Sequence, residues 1–230
     1  MLELMLPPFV ACMVLVAMHS YLGLHIIARE VIFVDLSLAQ MAALGTVVAL
    51  LAGVGPESRT AYLVALGFTA IGAALFALTR TSTRGRVPQE AIIGIVYVVA
   101  SAAAILVADK APRGAEAIKD ILVGGIIWVT WPTIIWKLAI PYVALGVFHY
   151  FLRHRFFTIS FHPDEAARHG WRIKAWDFLF YLSFGVVITL SVPVGGVLMV
   201  FTFLVVPAAI AFLFTRNMRH LSYIAWGSGA

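Results

Sequence analysis

Seven stretches of this chain run for about twenty residues with almost no charge, and such a stretch is solvated only by lipid or by a large protein core. They cover residues 6–28, 31–53, 61–79, 89–108, 133–152, 176–192 and 196–215. Each is long enough to carry an α-helix across the roughly 30 Å of bilayer hydrocarbon. Helix is the expected form, because no water is present in that layer to satisfy an open backbone. Composition agrees with a membrane solvent. Apolar residues make up 62% of the 230 and charged residues 12%, with a mean hydropathy of +0.99, against roughly 45–50% and about 25% in soluble domains. The expected fold is all-α, a polytopic transmembrane helix bundle forming a single domain over residues 1–230.

An eighth segment, 116–129, is apolar over about half the length a span needs and is expected to be a short helix that does not cross. Loop charge supports this. With the N-terminus outside and 116–129 not crossing, the cytoplasmic side holds Arg29, Arg80, Arg84, Arg86, Arg153, Arg155, Arg168, Arg172, Lys174, Arg216 and Arg219, eleven of the sixteen Lys and Arg residues. Arg59, Lys110, Arg113 and Lys119 fall outside, and Lys137 falls in a span, from which it can snorkel outward. If 116–129 crossed, the most basic loop, 153–174, would lie on the outer face, against the positive-inside rule.

The net charge of +5 is thus topological, and no nucleic-acid partner is implied. The lone Cys12 excludes an intramolecular disulfide and a thiolate cluster. Only Glu3 is charged ahead of the first run and no small-residue cleavage site follows it, so that run reads as a retained helix. Ala42, Ala43 and Gly45, and Gly72, Ala73 and Ala74, are small residues that allow close helix approach in lipid. Trp128, Trp131, Trp136 and Tyr142 read as an aromatic belt at the outer face.

The most informative loop runs His162-Pro163-Asp164-Glu165-Ala166-Ala167-Arg168-His169-Gly170. Proline suits the first helical turn, the two carboxylates complement the positive N-terminal dipole, and glycine after basic residues ends a helix. A helix of about two turns is therefore expected here. One so short needs support from the bundle or from a partner. It is either an amphipathic loop helix lying on headgroups or a docking helix that carries motion from a soluble motor.

This segment resembles the coupling helix of type II ABC importer permeases, and most closely the zinc, manganese and iron class, whose loops typically read S-P-D-x-A-x-x-x-G. Three other blocks fall in the matching order. REVIFVDLSLAQMAALG (Arg29 to Gly45) is similar to the second helix of that class, EAIIG (Glu90 to Gly94) to the start of the fourth, and VGGVLMVFTFLVVPAA (Val194 to Ala209) to the seventh. The resemblance implies a permease subunit that is not itself an enzyme. It implies a second permease copy forming a homodimer, a cytoplasmic ATP-binding subunit and an extracytoplasmic substrate-binding protein. Pro163, Asp164, Glu165, Ala166, Arg168 and Gly170 would couple to the ATPase. A divalent metal would be cargo, with no cofactor bound. The family usually continues through a further helical hairpin after the position of Arg219. This sequence stops at Gly227-Ser228-Gly229-Ala230, so a C-terminal truncation is expected.

Ionisable groups inside spans are functional candidates: His19, His25, Asp35, Lys137 and His149, with uncharged Gln40. The family's second helix carries Asp and His four residues apart. Leu36 and Gln40 stand at those places here, Asp35 is one residue early, and Val98 replaces the histidine usual on the fourth helix. His19, Asp35 and Gln40 are the translocation-pathway candidates, and the metal ligands are left open. His19 is expected to pair with Asp35 or to bond across helices, His25, Arg29 and His149 to sit near the cytoplasmic interface, and Asp35 to pair with Arg29. Gly124, Gly125 and the aromatics after them form a belt or an outer gate.

No G-x-x-x-x-G-K-[ST] loop occurs, so an ATPase would be a separate polypeptide. H-E-x-x-H and an ordered Ser-His-Asp set are absent too. An ATP-independent secondary transporter or channel is the alternative, but no internal repeat supports it.

Overall fold

A computed structural model describes residues 2–55, 58–80, 87–215 and 217–230. Among the described residues every regular element is helical: α1 (Leu2–Ala28), α2 (Val34–Leu51), α3 (Arg59–Leu78), α4 (Gln89–Ala108), α5 (Gly114–Val123), α6 (Ile140–Phe161), α7 (Pro163–Arg168), α8 (Ile173–Phe214) and α9 (Met218–Gly229). A 3₁₀ turn at Ile126–Trp128 and a π-helical turn at Thr133–Ala139 lead into α6. Of the cytoplasmic cations expected from sequence, Arg84, Arg86, Arg216 and the side chain of Arg219 lie outside the described residues.

Six helices are long and apolar enough to cross a membrane, and the last of them has 42 residues. At 1.5 Å per residue it would be about 63 Å long, twice the hydrocarbon thickness. It is two spans joined at a break. Gly196, at φ 74° and ψ 157°, leaves the helical region and divides α8 into two limbs. The seven expected crossings are all present. Three points differ from the sequence reading. The short helix expected over 116–129 runs from Gly114 to Val123, where Gly124 ends it. The fifth span does not end near residue 152 but continues as helix to Phe161, because 153–161 carries no proline or glycine to stop it. The C-terminal segment forms α9, which packs on α1 and the second limb of α8. Leu221 and Ala225 are buried there among Leu24, Ala208 and Ala211, and Trp226 Nε1 donates to Ala17 O at 3.0 Å.

Small residues set the packing where the sequence placed them. Gly45 of α2 lies against the backbone of Ala65 in α3, and Gly72 lies against Leu38 and Met41. Ser58 caps α3 by accepting from Ala61 N at 3.0 Å. The core contains Leu15, Leu22, Phe76, Phe180, Tyr181 and Phe184, so α1, α3 and the first limb of α8 form its centre.

α5 is the short non-crossing helix. At its outer end Arg113 clasps Glu116 at 2.7 and 2.9 Å, and that hydrogen bonding holds the Glu116 carboxyl below the usual range. Its inner end is wedged into the break of α8. Gly125 N donates to Val194 O at 3.0 Å, satisfying a carbonyl that the broken ladder leaves open in lipid. Gly124, at φ 72°, meets Gly195 and Gly196 backbone to backbone. Trp128 and Trp136 are exposed as an outer belt requires, whereas Tyr142 is buried and bonds Ser191 Oγ at 2.5 Å, so it is no part of that belt.

A side chain at residue 196 would lie 2.5 Å from the Val123 carbonyl in a left-handed conformation. Gly196→Ala should therefore lower stability by about 3 kcal/mol. Gly146→Ala, with open space around the added carbon, should be neutral or stabilising by up to about 1 kcal/mol. Thermal unfolding of both variants in the same detergent checks the contrast.

Candidate functional site

The six residues Pro163–Arg168 form α7, with proline in the first turn, Asp164 and Glu165 behind it and Arg168 in the last turn. Gly170 adopts φ +67° and ends it, as the sequence indicates. Asp164, Glu165, Ala167, Arg168, His169 and Gly170 are exposed, and Ala166 alone in this helix is buried, at 0%. One methyl group therefore pins a helix whose remaining surface faces away from the protein. The helix follows α6 after a single residue, His162, so its position is that of the α6 end.

Directly behind that end lies a buried polar cluster. Asp177, near the start of α8, is 0% exposed and accepts from Arg29 Nη1 at 2.6 Å through Oδ1 and from Arg80 Nη1 through Oδ2. The Arg29 side chain is 2% exposed, and Arg80 at 19% can still reach water. Two guanidinium groups on one carboxylate leave a net positive charge, and the partly exposed Arg80 is where it can be solvated. Arg29 also stacks on Phe180, its guanidinium carbon 4.0 Å from the ring centroid. Its Nε donates to Ser160 Oγ at 2.8 Å, and Ser160 also bonds His25 Nδ1 at 2.9 Å. Ser160 is one residue from the end of α6. Arg80 Nη2 reaches Ile159 O at 3.5 Å, and Lys174 Nζ caps α3 at Leu78 O, 2.8 Å away. The ends of α1, α3, α6 and α8 are thus tied into one unit.

Three expectations are corrected here. Arg29 pairs with Asp177 and not with Asp35. His25 is buried, at 4%, yet lies in the last turn of α1 beside Ser160, at the end where the sequence places it, whereas His149, at 2%, is buried twelve residues before the end of α6 and is not interfacial. His149 Nε2 bonds Ser183 Oγ at 2.9 Å, and its Nδ1 faces Tyr21 OH at 3.4 Å. His19 makes no bond across helices: Nδ1 donates to Leu15 O of its own helix at 2.7 Å, and Nε2 has no hydrogen-bond partner. Asp177 itself was absent from the sequence candidates, although a carboxylate one residue into the sixth apolar run was the signal that could have flagged it.

The pathway candidates lie on two helices. His19 is in α1, which packs on α6, α8 and α9, and Asp35 and Gln40 are in α2, which packs on α3, α4 and likewise on α8. Asp35 opens α2 in the favourable first-turn position, buried, with Oδ1 unpartnered. Glu90 of α4 reaches the same helix start, accepting from Phe33 N at 3.0 Å. Gln40 is buried at 8%, one turn further into the bundle. No group of three His, Cys, Asp or Glu residues able to hold a metal ion occurs among the described residues.

Comparison with known proteins bears on the whole chain. Residues 1–230 match the ABC 3 transport family. The chain is 28% identical over 137 residues to a Chlamydia trachomatis protein named "Probable metal transport system membrane protein", covering 60% of this chain and 46% of that relative's length. It is 27% identical over 185 residues to the manganese transport system membrane protein MntC of Listeria monocytogenes, covering 76% of this chain and 64% of MntC. The chain thus spans about half to two-thirds of the length of these relatives. Among solved structures, PsaBC from Streptococcus pneumoniae, in complex with Fab, superposes with a TM-score of 0.78 at 16% identity, covering 98% of this chain and 78% of that one. At that identity the likeness is one of fold.

Removing the Asp177 carboxylate strands one buried cation, Arg29, and one half-buried cation, Arg80. Asp177→Ala should cost about 3–5 kcal/mol, and replacing Arg29, Arg80 and Asp177 together by Met, Met and Leu should recover most of the loss. Detergent unfolding of the single and triple variants measures both.

Proposed function

Because the chain belongs to the ABC 3 transport family, we propose that it is the membrane-spanning permease subunit of an ATP-driven importer of divalent metal ions. Manganese and zinc are the first candidates and iron the next, following the manganese system named for a relative. The observation that carries this reading is the geometry of α7. A short helix displays nearly all of its polar surface on the cation-rich face and is held behind by one buried alanine and an ionic cluster. That is how a docking helix must be built if force applied to it is to move the bundle.

In this reading a separate ATP-binding subunit docks on Pro163, Asp164, Glu165, Arg168 and Gly170. Its closure on ATP pushes Ala166 and the end of α6. Motion passes through Ser160 to Arg29 on α1 and through Asp177 to α8. The first limb of α8 ends at the break against which α5 rests, so a displacement at the cytoplasmic face reaches the outer half. A substrate-binding protein delivers the ion to that outer half.

His19, Asp35 and Gln40 remain the pathway residues. The permease would hold its cargo briefly, with few donors per copy. A second copy facing the first would double the nitrogen and oxygen donors along a shared pathway.

Reconstitution into vesicles with the ATP-binding subunit and binding protein encoded beside it tests this reading. ATP hydrolysis stimulated by one of manganese, zinc or iron is expected. Ala166→Asp should cut the stimulated rate at least about tenfold by unseating α7. Asp35→Ala should instead lower ion uptake more than hydrolysis. Hydrolysis indifferent to all three metals would refute the assignment.

A further inference from the structure

Along one side of the bundle α1, α6 and α9 do not close over one another. Two cavities of about 530 and 570 Å³ open there, and both have Tyr21 and Arg153 in their walls, so they form one groove. Its upper part is walled by apolar surface, including Val14, Met18, Val143 and Gly146. Its lower part ends at Arg153 and His154. From Tyr142 to His154 along α6 is about 18 Å, close to the thickness of one leaflet of a roughly 30 Å hydrocarbon core. The basic end lies towards the cytoplasmic face, on the same helix that carries Ser160 beside the ionic cluster near its end.

Arg153 is exposed and stacks on Tyr150 at 4.5 Å, and it takes part in no ion pair among the described residues. It is not recruited into the Asp177 cluster, which already holds two arginines. An apolar slot of leaflet depth that ends on an uncompensated guanidinium is complementary to a molecule with an acyl chain at one end and a phosphate at the other. We propose that the groove between α1, α6 and α9 binds an anionic phospholipid of the cytoplasmic leaflet, with its phosphate on Arg153 and an acyl chain along Val143 and Gly146. The bound lipid bridges α1 and α6, the two helices joined by the Arg29–Ser160 bond. The site is independent of which ion is carried.

The full chain, purified in detergent, is titrated separately with dioleoyl phosphatidylglycerol and dioleoyl phosphatidylcholine, and bound lipid is counted by native mass spectrometry. The wild type should retain the anionic lipid about fivefold more tightly, the factor expected of one basic residue at the headgroup. Arg153→Ala should remove that preference. Gly146→Trp should fill the slot and lose both lipids, since an added side chain at 146 meets open space. Leu106→Trp, on the exposed face of α4, should change neither. Circular dichroism confirms that each variant is folded, and if Gly146→Trp is not, the Arg153→Ala comparison decides alone. Equal retention of the two lipids by the wild type, or a preference that survives Arg153→Ala, overturns the proposal. So does a wild-type dimer that Gly146→Trp abolishes while lipid retention is unchanged, which would assign the groove to a second copy.

Discussion

A carboxylate that no water reaches sits between two arginines, and the cytoplasmic half of this bundle is arranged around it. A lone ionised Asp177 in lipid surroundings would be prohibitively costly, as would Arg29. Each is tolerable only in the presence of the other, and the two are 148 residues apart in the sequence. The pair therefore acts as a constraint on topology. It requires the cytoplasmic end of α1 to meet the start of α8, and Arg80 brings in the end of α3. Ser160, bonded by both Arg29 and His25, then fixes the end of α6. Once those four ends are joined, the position of α7 follows, because one residue separates it from α6.

The outer half depends on a different kind of contact. There α5 meets the break in α8 through glycines, backbone against backbone, with Gly125 N on Val194 O. The first limb of α8 connects the two regions. Asp177 and Gly195 are about 27 Å apart along a helix, so the same rigid element carries the ionic cluster at one end and the α5 seat at the other. The proposed function would need such a connection between a face that docks an ATPase and the outer face. The single limb of helix, bounded by charge on one side and by a glycine contact on the other, would supply it.

Much of this architecture is legible in the residues. Apolar runs locate the crossings, the weak run at 116–129 is the helix that does not cross, and Pro163 with Gly170 brackets α7. What escapes is partner choice among charges. Arg29 is six residues from Asp35 and 148 from Asp177, yet it bonds the distant carboxylate, because helix packing and not chain proximity brings side chains together. His149 reads as interfacial beside Tyr150 and Arg153, but a 100° turn per residue puts it on the inward face while both neighbours stay exposed. The continuation of α6 to Phe161 is hidden for a related reason: charge at 153–155 ends a hydropathy run without ending a helix. The pathway candidates stand out by residue type alone, and in the structure His19 and Asp35 lie on different helices, α1 and α2, that share α8 as a neighbour.

The central claim is that the buried Asp177 cluster holds α7 in place. Amide hydrogen exchange of the wild type and of Asp177→Asn, a change that keeps the shape and removes the charge, tests it directly. The account predicts exchange over residues 160–170 accelerated at least about tenfold, with 114–129 unchanged, since the opening free energy there should fall by more than about 1.4 kcal/mol. Unchanged protection of 160–170 in the variant would show that α7 is held by something other than this cluster.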